Sequence, residues 1–186
     1  MFWREDRTVV EGASSTLVRT PDGLTFTVLT SGFEPNSALT LWLVVFNNPE
    51  LCSPPGCSGD DAPGRGGDPG VEASQLWANT GTVVTADGKA KFGGQVKTGD
   101  TSGVRVGPGL LNPQGAEVHM IIKSHGPILP EMLGEQLTTY DAGCPPNDCA
   151  ELQVMVHRPF TDPASVLLTK IAVRLDTIMK RLGIFF

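Results

Sequence analysis

Two hydrophobic periodicities divide this chain. From residue 8 to about 158 apolar side chains alternate with polar ones in short runs separated by Gly, Pro, Asn and Asp, the signature of half-buried strands and tight turns. Leu24 to Thr30 alternates Leu24, Phe26 and Val28 with Thr25 and Thr27. Ala38 to Phe46 is apolar on both parities and predicts a central strand covered on both sides. Thr8–Glu11, Thr16–Thr20, Glu72–Asn79, Thr82–Thr85, Lys89–Val96, Val104–Val106, Glu117–Lys123 and Glu151–Val156 complete the expected strands. Val118, Met120 and Ile122 are expected to point inward, as are Leu152, Val154 and Val156. Asp87-Gly88 between two strand patterns predicts a hairpin with a type I′ turn. Glu131 to Gln136 predicts one helical turn, and residues 47–70 a long irregular loop.

The end of the chain changes period. Leu168, Ile171, Leu175, Ile178, Leu182 and Phe185 recur at spacings of 3, 4, 3, 4 and 3, an a/d seam. Asp162-Pro163 supplies an N-cap and first helical residue, and Gly183 a stop, so a helix is predicted over 162–183. Its seam can pack on its own domain, on copies of itself or, with Lys170, Arg174, Lys180 and Arg181 on its polar side, on a membrane surface. If the seam makes a homo-oligomer, Leu at the a-type positions and Ile at the d-type positions lean to trimers or tetramers over dimers. The expected architecture is all-β: a two-sheet antiparallel sandwich of immunoglobulin-like or jelly-roll type over 8–158, followed by one C-terminal amphipathic α-helix.

Composition narrows the function classes. The 186 residues include 22 Gly and 15 Pro, as many turns require, and carry a net charge of −6 that repels nucleic-acid phosphates. No stretch of 18 uninterrupted apolar residues predicts a spanning helix, and Met1-Phe2-Trp3-Arg4 opens without the apolar region of a signal peptide. The four cysteines fall into matching units, Cys52-Ser-Pro-Pro-Gly-Cys57 and Cys144-Pro-Pro-Asn-Asp-Cys149. Proline turns favour a local disulfide within each unit. A four-thiolate zinc site, free thiols and cross-pairing between the units stay open. Disulfides point to an extracellular, periplasmic or cell-surface protein.

The chain has three histidines, His119, His125 and His157. Three imidazoles are the donor set of copper or zinc, as in a small oxidase or hydrolase, and His119 and His157 can also meet across neighbouring strands with Met120 or Met155 nearby as a soft ligand. His119 and His125 share strand parity, yet six residues of continuous strand separate them by about 20 Å, so they meet only if the chain folds back. Ser124 and His125, adjacent in a strand, point to opposite faces and are not a nucleophile–base pair. Glu117 and His119 share a face, and no G-x-S-x-G elbow is present. Asp60, Asp61 and Asp68 in a glycine-rich loop have the chemistry of a calcium site but no EF-hand spacing. Trp42 is expected in the core and Trp77 half exposed, while Trp3 precedes every predicted element.

The stretches Thr40-Leu41-Trp42-Leu43-Val44-Val45-Phe46-Asn47-Asn48-Pro49-Glu50-Leu51-Cys52 and Ala116-Glu117-Val118-His119 through Ser124-His125-Gly126-Pro127 resemble a group of uncharacterised secreted bacterial and archaeal β-sandwich proteins. The resemblance implies an exported all-β domain and implicates His119, His125, Asn47 and Asn48, with no activity attached. The expectation that follows is an exported, non-enzymatic binding or structural module that self-associates through its C-terminal helix. Its rival is a copper or zinc protein using His119, His157 and His125.

Overall fold

The doubly apolar run at 38–46 lies at the centre of the molecule. The computed structural model describes residues 1–54 and 56–159. They form β1 (Phe2–Trp3), β2 (Ser14–Thr20), β3 (Gly23–Ser31), β4 (Ser37–Phe46), β5 (Ala73–Val83), β6 (Lys89–Lys97), β7 (Val104–Val106), β8 (Glu117–Pro127), α1 (Leu133–Gln136) and β9 (Ala150–His157). The strands pair antiparallel throughout, in a six-stranded sheet of order β1-β9-β8-β4-β5-β7 and a three-stranded sheet of order β2-β3-β6. This is the expected two-sheet sandwich. The predicted helix over 162–183 and its seam lie outside the described residues. Among the described residues no helix is long and apolar enough to cross a membrane.

One face of each sheet forms the core. Leu39, Leu41, Leu43 and Val45 of β4 meet Leu24, Phe26 and Val28 of β3 and Phe92 and Val96 of β6. Val118, Met120 and Ile122 of β8 join them, inward as expected. At one end, Arg19 of β2 reaches from the smaller sheet to three carbonyls. Its guanidinium donates to Pro113 and Ala116, each at 2.8 Å, and to His157 at 3.1 Å.

Several local expectations are corrected. Asp87-Gly88 does close a turn, but Gly88 alone has positive φ, at 73°, so it is not type I′. Gly88 N–H bonds the Thr85 carbonyl, and Thr85 N–H bonds the Lys89 carbonyl. The flanking strands then part, β5 pairing with β4 and β6 with β3, so the turn is a corner between sheets rather than a hairpin within one. Thr82 and Val83 belong to the same strand as Trp77, because β5 runs on through a bulge opposite Thr40 to Trp42. Residues 8–11 contribute only the isolated bridge Phe2↔Val9. Trp3 is in β1, set edge-on against Phe33 with centroids 5.8 Å apart, because the first residues return to pair with β9.

Leu152 packs against the core as expected, but from Gln153 on the last strand faces the other way from its apolar pattern. Gln153 and Met155 are buried, whereas Val156 is 39% exposed. Gln153 shares a hydrogen bond with the Thr30 hydroxyl and donates to the Ser31 carbonyl at 3.0 Å. A satisfied amide can occupy a core position that alternation assigns to an aliphatic residue.

Candidate functional site

The outer face of the six-stranded sheet carries the polar groups singled out in the sequence. Its side chains are Thr40, Trp42, Val44 and Phe46 of β4 and Glu117, His119, Ile121, Lys123 and His125 of β8, set side by side by the β4–β8 register. In an open sandwich this face is wet, yet every residue of β4 is buried. Two disulfide loops cover it.

The first loop, residues 47–72, is seated on apolar contacts. Cys52 and Cys57 are bridged, with Cα atoms 4.9 Å apart, and pack with Val71 over Val44 and Phe46. Asn47, buried, anchors both ends of the cover. Its amide donates to the carbonyls of Glu72 and Gly109, and its carbonyl accepts from the N–H groups of Leu111 and Asn112. Asn48 donates to the Gly70 carbonyl and the Glu72 carboxylate.

The acidic residues of this loop also serve its own backbone. Asp61 accepts from Ser53 N–H and from the N–H and hydroxyl of Ser58, while Asp68 accepts from Gly70 N–H. Burial would raise the Asp61 carboxyl, but the Ser58 and Ser53 bonds outweigh it and hold the carboxyl below its ordinary range. Among the described residues Asp60, Asp61 and Asp68 do not converge as a ligand group.

Glu117 and His119 lie on the same side of the face. Glu117 is buried and its carboxylate stands 2.8 Å from His119 Nε2, so that nitrogen carries the proton. Arg158 Nε lies 3.5 Å from the other carboxylate oxygen, and the His119 ring packs edge-on against Phe46.

The second loop, residues 128–149, is held by polar contacts. A 3-10 turn at Pro130–Met132 leads into α1, whose buried Gln136 accepts from Leu129 N–H and donates to the carbonyls of His125 and Pro127. Asn147 donates to the same two carbonyls, both at 2.7 Å. Cys144 and Cys149 are bridged, with Cα atoms 5.7 Å apart. Tyr140 stands edge-on to Trp42 at 4.9 Å, with Lys123 Nζ 3.6 Å and the Arg105 guanidinium 4.3 Å from its ring centre. Its hydroxyl donates to Glu151 at 2.7 Å.

His125 is the pivot of this loop, and it is fully buried. Its Nδ1 lies 2.8 Å from the Ala142 carbonyl, which can only accept, so Nδ1 carries the proton. Nε2 then accepts from the Thr40 hydroxyl at 2.8 Å, and Thr40 accepts from Trp42 Nε1 at 3.0 Å. The chain Trp42→Thr40→His125→Ala142 satisfies every member. Burial holds the His125 imidazolium below the ordinary range. The Ala142 bond works the other way, and Lys123 adds to the depression.

The three histidines therefore occupy three neighbourhoods. His119 is with Glu117 and His125 with Thr40 and Ala142. His157, on the inward parity of β9 opposite Val118, meets Ser15 of β2 at 2.9 Å. Because β8 continues through Ser124 and Gly126, nothing folds His125 back to His119. The imidazole trio is not brought together. Ser124 stands on the parity opposite to His125, and its hydroxyl accepts from Gly126 N–H.

One grouping that sequence spacing did not suggest does converge. His125, Cys144 and Cys149 have their ligand atoms within 4.8 Å of one another. His125 and Cys144 lie 19 residues apart, and only the return of the 128–149 loop over Thr40 joins them. The shared pattern of a histidine and a cysteine pair was present in the chain, but no periodicity ties one to the other.

Compared with protein families, with curated proteins and with solved structures, the chain has no match in any of the three.

Proposed function

We propose that this chain is an exported, non-enzymatic binding or structural module that self-associates through residues 162–183. One observation carries the non-enzymatic part. The groups that a catalyst would present to a substrate face protein partners: Glu117 with His119, Ser15 with His157, and Thr40 with His125 and Ala142. Polar groups satisfied in this way fix a fold. Two intraloop disulfides support the exported part, since such bridges persist in oxidising compartments. The seam from Leu168 to Phe185 supports self-association, as a narrow apolar stripe written at a 3, 4 spacing calls for a partner surface.

Light scattering on the full chain and on a chain ended at Pro159 tests the assembly. The expected result is an oligomer for the full chain and a mass close to one chain for the shortened one. Equal oligomeric states would remove the seam from the reading. Thiol titration of protein isolated without reductant tests the compartment, with no reactive thiols expected in the unfolded chain.

A further inference from the structure

We propose that the Cys144–Cys149 bridge, once reduced, becomes a zinc site in which the two thiolates and Nδ1 of His125 bind the ion. The bridges at Cys52–Cys57 and Cys144–Cys149 span the same number of residues. Among the described residues only the second gathers a third ligand atom. His125 Nδ1 stands 3.8 Å from Cys144 Sγ. In a tetrahedral zinc site, bonds of about 2.3 Å to sulfur and about 2.0 Å to nitrogen put those ligand atoms roughly 3.5 Å apart. The imidazole is thus within about 0.3 Å of ligand separation from the first sulfur. Reduction lets the two sulfurs part to the roughly 3.8 Å that the same geometry requires of them.

The surroundings fit a ligand histidine. A metal-bound imidazole donates its other N–H to a fixed acceptor. Here that acceptor is Thr40 Oγ1, 2.8 Å from Nε2 and itself held by Trp42 Nε1. Cys144 and Cys149 are half-buried, which leaves the fourth position to water, as in open Cys₂His sites. Two thiolates cancel the charge of the ion, so a neutral centre replaces a neutral bridge beside a buried ring.

The steps balance. A dithiol reductant gives two electrons and two protons to the bridge and leaves as its own disulfide. Zinc then displaces both thiol protons to solvent. The imidazole stays neutral, its proton passing from Nδ1 to Nε2, where Thr40 Oγ1 accepts it, and the Ala142 carbonyl that faces Nδ1 at 2.8 Å must turn away to admit the ion.

The test uses the full chain reduced with a phosphine, zinc alone as the probe, and competition with a chromogenic chelator. One equivalent of zinc per reduced chain is expected, with at least a tenfold weaker association for the oxidised chain. The double variant Cys144→Ser/Cys149→Ser is expected to lose the site, and Cys52→Ser/Cys57→Ser to keep it. Thr40→Val is expected to weaken binding about 10–100-fold, as loss of an outer-shell partner does. Cobalt in place of zinc should show sulfur-to-metal charge transfer in the reduced chain. His125→Gln should lower the affinity and alter the cobalt spectrum. If that variant fails to fold by circular dichroism, the cysteine pairs decide. The proposal is overturned if the reduced chain takes up no zinc, or if the Cys144/Cys149 variant binds as well as the parent.

Discussion

The two cysteine loops have the same cysteine spacing and cover the same face of the same sheet, yet they are attached by different physics. The 47–72 loop is seated on Val44, Phe46 and Val71, with Asn47 and Asp61 tying its backbone. The 128–149 loop hangs from His125, Gln136 and Asn147 and from a tyrosine between two cations. A disulfide closes a turn in both cases. What lies beneath it decides which conditions open the loop.

The comparison can be broken in order of effect. Phe46→Ala removes the floor of the first loop and should cost about 3–5 kcal/mol in chemical denaturation. Native-state hydrogen exchange should then rise over 47–72 more than over 128–149. Removing either cysteine pair by serine should cost roughly 2 kcal/mol through the unfolded chain, by the loop-entropy relation for so short a ring. The two double variants share that contribution, so any difference between their denaturation midpoints reports the native loops themselves. Gln136→Ala leaves Leu129 N–H without its partner and should cost about 1–3 kcal/mol, with exchange raised in the second loop.

Mild acid should sharpen the contrast at the smallest energy. Burial lowers the His125 imidazolium. His157 is lowered too, chiefly by burial, with repulsion from Arg19 and the N-terminus added. A folded-state pKa below the ordinary 6.5 means that the unfolded chain takes up protons first. Stability is therefore full above pH 6.5, declines as pH falls through it, and levels off below the folded-state values. Asp61 works on a different limb: its contribution is present above the ordinary 3.8 and is lost as pH falls through its lowered value. Hydrogen exchange at pH 5 should accordingly loosen 128–149 while 47–72 holds, and His125→Gln should flatten the upper limb, leaving the share of His157.

The same contrast explains what was legible in the chain. Burial of both faces of β4 could be read from its composition, but the cover on its outer side is two loops, whose seating depends on long-range contacts of Asn47 and His125. The shared face of His119 and His125 followed from parity alone. The pairing of His125 with Cys144 did not, because it depends on where a 22-residue connection returns. In β9 beyond Leu152 the apolar alternation pointed to the wrong side, since the partners of Gln153 lie on Thr30 and Ser31 of the other sheet. At Asp87-Gly88 the local signal named a turn correctly. Whether its two arms stay paired is decided by β3 and β4, which compete for them.

Arg19 gives this molecule a joint of another kind. A guanidinium keeps its charge where imidazoles change theirs, and its flat fork addresses three carbonyls from separate stretches of chain at once. The guanidinium itself is not discharged by the acidification that slackens the second loop, so what that pH change adds at this end is the charge taken up by His157 beside it. Lysine, with a single ammonium, would be a poor substitute there even though the charge is the same.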